Sequence, residues 1–193
     1  MSNPSDNRIY PRPTPALFLG SIVAMMAVVL ASNILVQHAI NDWLTWGAFS
    51  YPVAYLVSDL VNRRFGPLQA RRVAWIGFAV AVAASMYFAP MRIAAASGIA
   101  FISSQLLDIR VFDKLRQMRW WRAPLVATVL AAILDSVVFW GIGFGGSDDP
   151  WITWALGDLG VKLAVGVLML LPFRLLIGRQ ASNAPAPAVA GQP

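Results

Sequence analysis

Long apolar segments recur along this chain, and they restrict its fold more than any other feature. Residues 16–36 contain no charged side chain, and a helix of that length can cross the ~30 Å hydrocarbon core of a bilayer. Backbone groups in lipid have no water to bond to, so such segments must be helical. Only 12% of the residues are charged and 58% are hydrophobic, whereas a soluble domain carries about 25% charged residues. The sequence therefore predicts an all-α integral membrane protein.

The apolar segments divide into six predicted membrane-spanning helices. Together they form a transmembrane domain at residues 15–178, between an N-terminal tail (1–14) and an Ala/Pro-rich tail (179–193) that we expect to be disordered. Residues 111–119 have the pattern of a short amphipathic helix lying on the membrane surface. The six helices are predicted at residues 15–37, 46–62, 73–90, 93–107, 124–144 and 152–176.

The positive charges fall on one side of this arrangement. If the helices alternate in direction, thirteen of the fifteen Lys and Arg residues lie on the side of both termini, and Arg92 lies on the opposite side with Asp42, Asp148 and Asp149. By the positive-inside rule, both termini are then cytoplasmic. Because the alternating strand-like segments of an outer-membrane barrel are absent, we expect the protein in a bacterial inner membrane. The net charge of +6 is thereby explained by topology, and we expect no nucleic-acid partner.

Motifs typical of enzymes are missing from the sequence. There is no cysteine, which excludes a cysteine nucleophile and a thiolate metal site. There is also no HExxH, GxSxG, P-loop or glycine-rich dinucleotide motif. We expect no enzyme activity, no cofactor and no metal ion.

A group of polar residues is predicted in the outer half of the membrane. Each ionisable group within a span costs roughly 2.5–3.5 kcal/mol on insertion scales and needs an explanation. Asn33 and Gln37 are four residues apart and share a helix face, and so do Asp158 and Lys162. The last two could form a purely structural ion pair, with Asn33 joining helices. Because Asp135 lies at a comparable depth without a partner on its own helix, a binding site is the favoured interpretation.

A second group is predicted nearer the cytoplasmic side. Carboxylates beside arginines at the membrane interface are more often structural pairs than ligands. This favours a structural role for Asp108 and leaves Asp59 undecided between structure and binding. The group comprises Asp59, Gln105 and Asp108, close to Arg63, Arg64 and Arg110.

Four segments of the sequence resemble one known family. The run TWGAFSYPVAYLVSDLVNRRFGPLQARR (45–72) is similar to the signature of the queuosine precursor transporters, also called the vitamin uptake transporter family. The segments ASNILVQ (31–37), QLLDIRVFDKLRQMRWWRAP (105–124) and WALGDLGVK (154–162) agree with it. Many members of that family have an acidic residue where this chain has Arg63, which leaves Asp59 as the acidic residue of the motif.

The resemblance implies import of the queuosine precursors 7-cyano-7-deazaguanine and 7-aminomethyl-7-deazaguanine. It also implies a six-helix fold similar to the substrate-binding subunits of energy-coupling-factor transporters. On this basis, Asp135 or Asp158 accepts the adjacent ring N–H and amine of a guanine edge. Asn33 and Gln37 bond the remaining ring groups, Phe49 stacks on the ring, and Lys162 keeps Asp158 ionised.

Three alternatives remain open. One is a substrate-capture subunit that needs a separate ATPase partner, another is a membrane enzyme acting on lipid, and the third is a purely structural membrane subunit. The sequence provides no nucleophile or metal cluster for the second, and the third leaves the outer polar group unexplained. The oligomeric state is also open, and a homo-oligomer is compatible with the sequence.

Overall fold

The computed structural model describes residues 10–35, 38–41, 44–88, 90–148 and 150–182. Within these residues the chain forms six long helices and a two-stranded antiparallel hairpin. In chain order the elements are α1 (Pro15–Leu35), β1 (Ala39–Asn41), β2 (Leu44–Thr45), α2 (Gly47–Phe65), α3 (Pro67–Phe88), α4 (Met91–Leu115), α5 (Arg122–Phe144) and α6 (Trp151–Ser182). Each predicted helix has a counterpart, and the hairpin between α1 and α2 was not predicted.

Four of these helices are long and apolar enough to cross a membrane. Among the described residues they are Pro15–Ser32, Met91–Leu115, Arg122–Phe144 and Trp151–Gly178. The helices α2 and α3 contain 19 and 22 residues and are about 28–33 Å long at 1.5 Å per residue. They are less apolar because α2 carries Asp59 and two arginines, and the N-terminal part of α3 contains Arg71 and Arg72.

The helix α2 occupies the centre of the bundle and contacts all five other helices. Small residues allow α4 and α5 to approach each other closely. Ala96 and Ala100 of α4 are almost fully buried, as are Ala127 and Ala131 of α5. These small side chains allow α4 and α5 to pack closely.

Apolar packing is concentrated in two clusters of buried side chains. The larger cluster contains side chains of four helices, α1, α2, α3 and α4, among them Met25, Ala54, Val73 and Phe101. A Cβ atom at Gly77 would lie 2.6 Å from the Met25 side chain, so a glycine is needed where α3 meets α1. The smaller cluster joins α4, α5 and α6 through Phe112, Ala123, Ala127 and Phe173.

The predicted surface helix at residues 111–119 is wrong. Residues 111–115 continue α4 without interruption. Phe112 is fully buried and its ring lies edge-on to Phe173, with 6.0 Å between ring centroids. The apolar residues that suggested a membrane-facing stripe contact other helices instead. At the other end of the chain, α6 continues to Ser182, beyond the predicted domain end at 178, and residues 183–193 lie outside the described residues.

One end of the bundle is rich in arginine, and we call it the basic end. It is formed by the helix ends that carry Arg63, Arg71, Arg110 and Arg122. The turn between α2 and α3 lies there at Gly66, whose φ angle is +84°. Tyr10 packs on this turn, because a Cβ atom at Gly66 would lie only 2.6 Å from its ring.

Candidate functional site

Three ionisable side chains from two helices meet inside the bundle. Lys162 of α6 lies 2.8 Å from Asp135 Oδ2 of α5 and 2.5 Å from Asp158 Oδ2, one turn away on its own helix. Its third N–H is directed at Ser136 Oγ, at 3.4 Å. An ammonium group has three donors, so all three donors of Lys162 have an acceptor. We call this group, with Ser104 and Trp140, the Lys162 cluster.

The two carboxylates of the Lys162 cluster have different surroundings. Asp135 is only 3% exposed, and its Oδ1 accepts a bond from Ser104 Oγ of α4 at 3.3 Å. Asp158 is 15% exposed. Its Oδ2 accepts bonds from Ser136 Oγ at 3.2 Å and from the Trp140 indole N–H at 3.4 Å. Asp135 is therefore enclosed by three helices, whereas Asp158 retains access from one side.

Aromatic rings surround the more accessible carboxylate. Trp140 lies 6.0 Å from Trp154 and 5.0 Å from Phe144 between ring centroids, and Phe139 lies edge-on to Trp140 at 5.3 Å. Trp154 precedes Asp158 by one turn on α6 and so shares its helix face. A flat polar ligand at Asp158 would thus have an aromatic group beside it as well as a carboxylate.

The structure brings together three of the seven predicted site residues: Asp135, Asp158 and Lys162. Phe49 lies in the first turn of α2, is 42% exposed and has its ring 6.1 Å from Trp46. No bond or ring contact between described residues joins it to the Lys162 cluster. Gln37 and the side chain of Asn33 fall outside the described residues.

Sequence reasoning missed the two serines of the cluster. Ser136 follows Asp135 directly, and Ser104 belongs to a different helix whose register against α5 is set by packing. Both are almost fully buried. Buried hydroxyl groups in an apolar helix are a signal of a polar site, but serines are common in membrane helices and the signal is weak.

The remaining predicted site residue, Asp59, lies beside a different carboxylate. Asp59 on α2 and Asp108 on α4 are at the same level of the contact between these helices, and their exposed fractions are 2% and 0%. On one side of them, Asn62 of α2 donates to Ile109 O of α4 at 3.0 Å. Beside them Ser58 Oγ donates to Gln105 Oε1 at 2.5 Å. The predicted arginine partners are not found: within the described ranges, no donor bonds Asp59 Oδ1 or either Asp108 oxygen. We call these two residues the Asp59–Asp108 pair.

Arginines near this pair bind backbone and amide oxygens instead. Arg116, just after α4, donates to the carbonyl and to the side-chain oxygen of Asn62 on α2, the latter at 2.6 Å. Arg116 also donates to Arg63 O at 3.2 Å, and Arg63 donates to Arg116 O at 3.0 Å. Asp113 lies 3.2 Å from the Arg116 guanidinium. This junction ties α2 to the end of α4 at the basic end.

A small cavity of about 10 Å³ lies between α2, α5 and α6. Asp59 lines it, together with Thr128 of α5 and Gly166 of α6. Gly166 follows Lys162 by one turn and Thr128 precedes Asp135 by two turns, so the cavity lies toward the basic end from the Lys162 cluster.

Comparison with known proteins decides the family. The sequence model of the family described as putative vitamin uptake transporter matches residues 45–91 and 84–177. A queuosine precursor transporter of Escherichia coli (strain K12) is 34% identical over 188 residues, covering 81% of this chain and 84% of the relative. The chain belongs to the queuosine precursor (vitamin uptake) transporter family.

Two further relatives agree with this assignment. A probable queuosine precursor transporter of Haemophilus influenzae is 32% identical over 186 residues, which cover 75% of this chain and 79% of the relative. A probable queuosine precursor transporter of Bacillus subtilis is 24% identical over 156 residues, which cover 65% of this chain and 68% of the relative. No solved structure matches the chain. Family membership and the four apolar helices together identify a multi-pass membrane transport protein, and the matched residues include the Lys162 cluster and the Asp59–Asp108 pair.

Proposed function

We propose that this protein imports the queuosine precursors cyano- and aminomethyl-deazaguanine across the bacterial inner membrane. The names of the relatives support this substrate class. The observation that carries the proposal is the Lys162 cluster, a buried acid–base group with one accessible carboxylate beside aromatic rings. Charged groups inside a membrane bundle are costly, and they commonly mark substrate pathways.

In this proposal the two carboxylates of the cluster have different roles. Asp135 is enclosed and holds Lys162 in its charged form through the 2.8 Å contact. Asp158 is the substrate acceptor, because it is the more exposed of the two. A guanine edge offers a ring N–H and an adjacent amine, and one carboxylate can accept both.

The ring of the substrate is proposed to stack on the aromatic group around Trp140. Trp140 both bonds Asp158 and lies within a set of four rings. This role replaces the one predicted for Phe49, whose ring lies beside Trp46. Asn33 and Gln37 keep their proposed role in bonding the remaining polar groups of the substrate.

We further propose that all six helices cross the membrane, with both termini and the basic end in the cytoplasm. The partition of the Lys and Arg residues supports this orientation. The proposed six-helix arrangement is that of the substrate-binding subunits of energy-coupling-factor transporters. Transport then follows from alternating access to the Lys162 cluster.

The proposal is tested in bacterial cells that can neither make deazaguanines nor import them. Expression of this chain should restore queuosine in tRNA when either precursor is supplied. Asp158→Asn should abolish this, and Asp148→Asn, which changes an exposed carboxylate outside the cluster, should leave it intact. The proposal would be contradicted if Asp158→Asn restored queuosine in tRNA as well as Asp148→Asn does. It would also be contradicted if the unmodified chain failed to restore it. Uptake by the purified chain in liposomes would exclude the alternative of a capture subunit that needs an ATPase partner.

A further inference from the structure

The Asp59–Asp108 pair has no place in the substrate site described above. The two residues lie side by side where α2 packs on α4, between the Ser58–Gln105 and Asn62–Ile109 hydrogen bonds, and they are almost completely removed from solvent. They lie about 10 Å from the ends of these helices at the basic end, at 1.5 Å per residue. Neither residue belongs to the Lys162 cluster, yet both lie deep inside a membrane protein, where an unpaired acid is costly.

The neighbouring charged groups have other partners. On α2, Arg63 bonds Arg116, and on α4, Asp113 lies against Arg116. On α5 and α6, the nearest charged groups are those of the Lys162 cluster together with Arg122 and Arg174, whose guanidinium groups lie over the rings of Trp121 and Trp120. The helix α1 carries no charge within Pro15–Leu35. The arginines of α2, α3 and α4 that remain are exposed: Arg64, Arg71, Arg72, Arg92 and Arg110. Tyr55, buried one turn before Asp59 on α2, is the other titratable group at this level.

Two ionised carboxylates side by side repel each other strongly where water is excluded. A single proton between them removes the repulsion and supplies a hydrogen bond. The oxygens of the pair have room for such a proton, because no described group donates a hydrogen bond to Asp59 Oδ1 or to either oxygen of Asp108. The amide nitrogen of Gln105, fully buried one turn before Asp108, also has no partner in the described part of the chain, and it provides a donor for the state in which the proton has left.

The pair is connected to the Lys162 cluster in two ways. Ser104, which bonds Asp135, precedes Asp108 by one turn on the same face of α4. Asp59 also lines the small cavity between α2, α5 and α6, and the wall of this cavity includes Gly166, one turn from Lys162 on α6. A cavity of about 10 Å³ is close to the size needed for one water molecule. A movement of α4 would therefore displace Ser104 and Asp108 together.

We propose that the Asp59–Asp108 pair is the proton-binding site that couples import to the proton gradient. One proton binds when the pair is open to the outside, forming an O–H bond on one carboxyl group and a hydrogen bond to the other. It is released to the cytoplasm after the substrate, so one proton moves inward per cycle and no electron is transferred. This inference rests on the proposed transport function.

The direct test uses purified protein in liposomes that contain a trapped pH-sensitive dye. With acid outside, a one-unit pH gradient should drive about tenfold accumulation of cyanodeazaguanine, and the dye should report inward proton movement. In Asp59→Asn and Asp108→Asn the ratio of uptake with the gradient to uptake without it should fall to one. Asp148→Asn should keep the ratio of the unmodified protein. The proposal would be overturned if uptake did not depend on the pH gradient or depended on a sodium gradient instead. It would also be overturned if uptake by both Asp59→Asn and Asp108→Asn still depended on the pH gradient.

A second measurement does not depend on transport. Infrared spectroscopy of the unmodified protein should show the carbonyl band of a buried protonated carboxyl group, shifted when water is replaced by heavy water. The band should shift in Asp59→Asn and in Asp108→Asn, because the partner of the remaining carboxyl group changes, and it should be lost when both residues are replaced. Its absence from the unmodified protein, or an unchanged band in the double variant, would overturn proton binding by the pair. If this band is found but no deazaguanine is taken up under any gradient, the transport function fails while proton binding stands.

Discussion

Lys162 of α6 donates a hydrogen bond to Asp135 of α5 across 2.8 Å, and only 6% and 3% of these side chains are exposed. Asp135 therefore supplies the counter-charge that allows an ammonium group to remain deep in the bundle. Because Lys162 is held from α5, Asp158 can exchange its contact with Lys162 for a contact with substrate without leaving a buried cation unpaired.

This relationship predicts an unusual order of stabilities. Lys162→Met should lower the free energy of unfolding in mixed micelles by about 3–5 kcal/mol, because it leaves two buried carboxylates without their cation. Adding Asp135→Asn removes one of those charges, so the double variant should be more stable than Lys162→Met alone. The control is Asp135→Asn in the unmodified protein. If Asp135→Asn lowers the free energy of unfolding by the same amount there and in the Lys162→Met background, the two residues are not coupled.

The proposed site also predicts what the protein rejects. Adenine has no N1–H and no amine at C2, so it cannot offer Asp158 two adjacent donors, and its C6 amine can donate to one oxygen at most. Each orphaned buried group costs about 1–3 kcal/mol, and adenine should therefore compete at least about tenfold more weakly than guanine-type bases. Competition binding on the purified protein measures this. Equal competition by adenine would show that the site recognises only a flat ring.

At the basic end, Gly66 is predicted to resist substitution. Its φ of +84° is unfavourable for residues with a side chain, and an added Cβ atom would contact the Tyr10 ring at 2.6 Å. Gly66→Ala should lower the free energy of unfolding by about 1–3 kcal/mol from backbone strain alone, with a further loss from the contact. The contact part should disappear in a Tyr10→Ala background, and an equal loss in both backgrounds would show that Tyr10 does not pack on this turn.

The predicted topology can be tested because the chain contains no cysteine. A single cysteine at position 148 should react with a membrane-impermeant reagent added outside intact cells. A cysteine at position 114, near the end of α4 at the basic end, should react only after the membrane is opened. Labelling of position 114 from outside would contradict cytoplasmic placement of the basic end.

Much of the architecture could be predicted because it depends on local sequence. The apolar segments predicted a helix at each position where the structure has one, and the spacing of Asp158 and Lys162 predicted their contact within α6. By contrast, Asp135 seemed to have no partner because its partner lies on another helix. Contacts between helices depend on their relative rotation, which a hydropathy pattern does not determine.

The errors have the same origin. Residues 111–115 have the amphipathic pattern of a surface helix, but Phe112 faces Phe173 of α6 rather than lipid. Asp108 was expected beside an arginine because arginines are close to it in sequence. The structure directs the Arg116 guanidinium to Asn62 and Arg63 and leaves Asp108 beside Asp59.

The central claim is that Asp158 binds deazaguanine on its path through the bundle. The most direct measurement is uptake of radiolabelled cyanodeazaguanine into liposomes containing only the purified chain, compared between the unmodified protein and Asp158→Asn. We predict uptake by the unmodified protein and by Asp148→Asn, and at least a tenfold loss in Asp158→Asn, with unchanged folding by circular dichroism. That factor corresponds to about 1.4 kcal/mol of lost interaction. Normal uptake by a folded Asp158→Asn protein would contradict the account, because the Lys162 cluster would then be a structural feature and the substrate site would lie elsewhere.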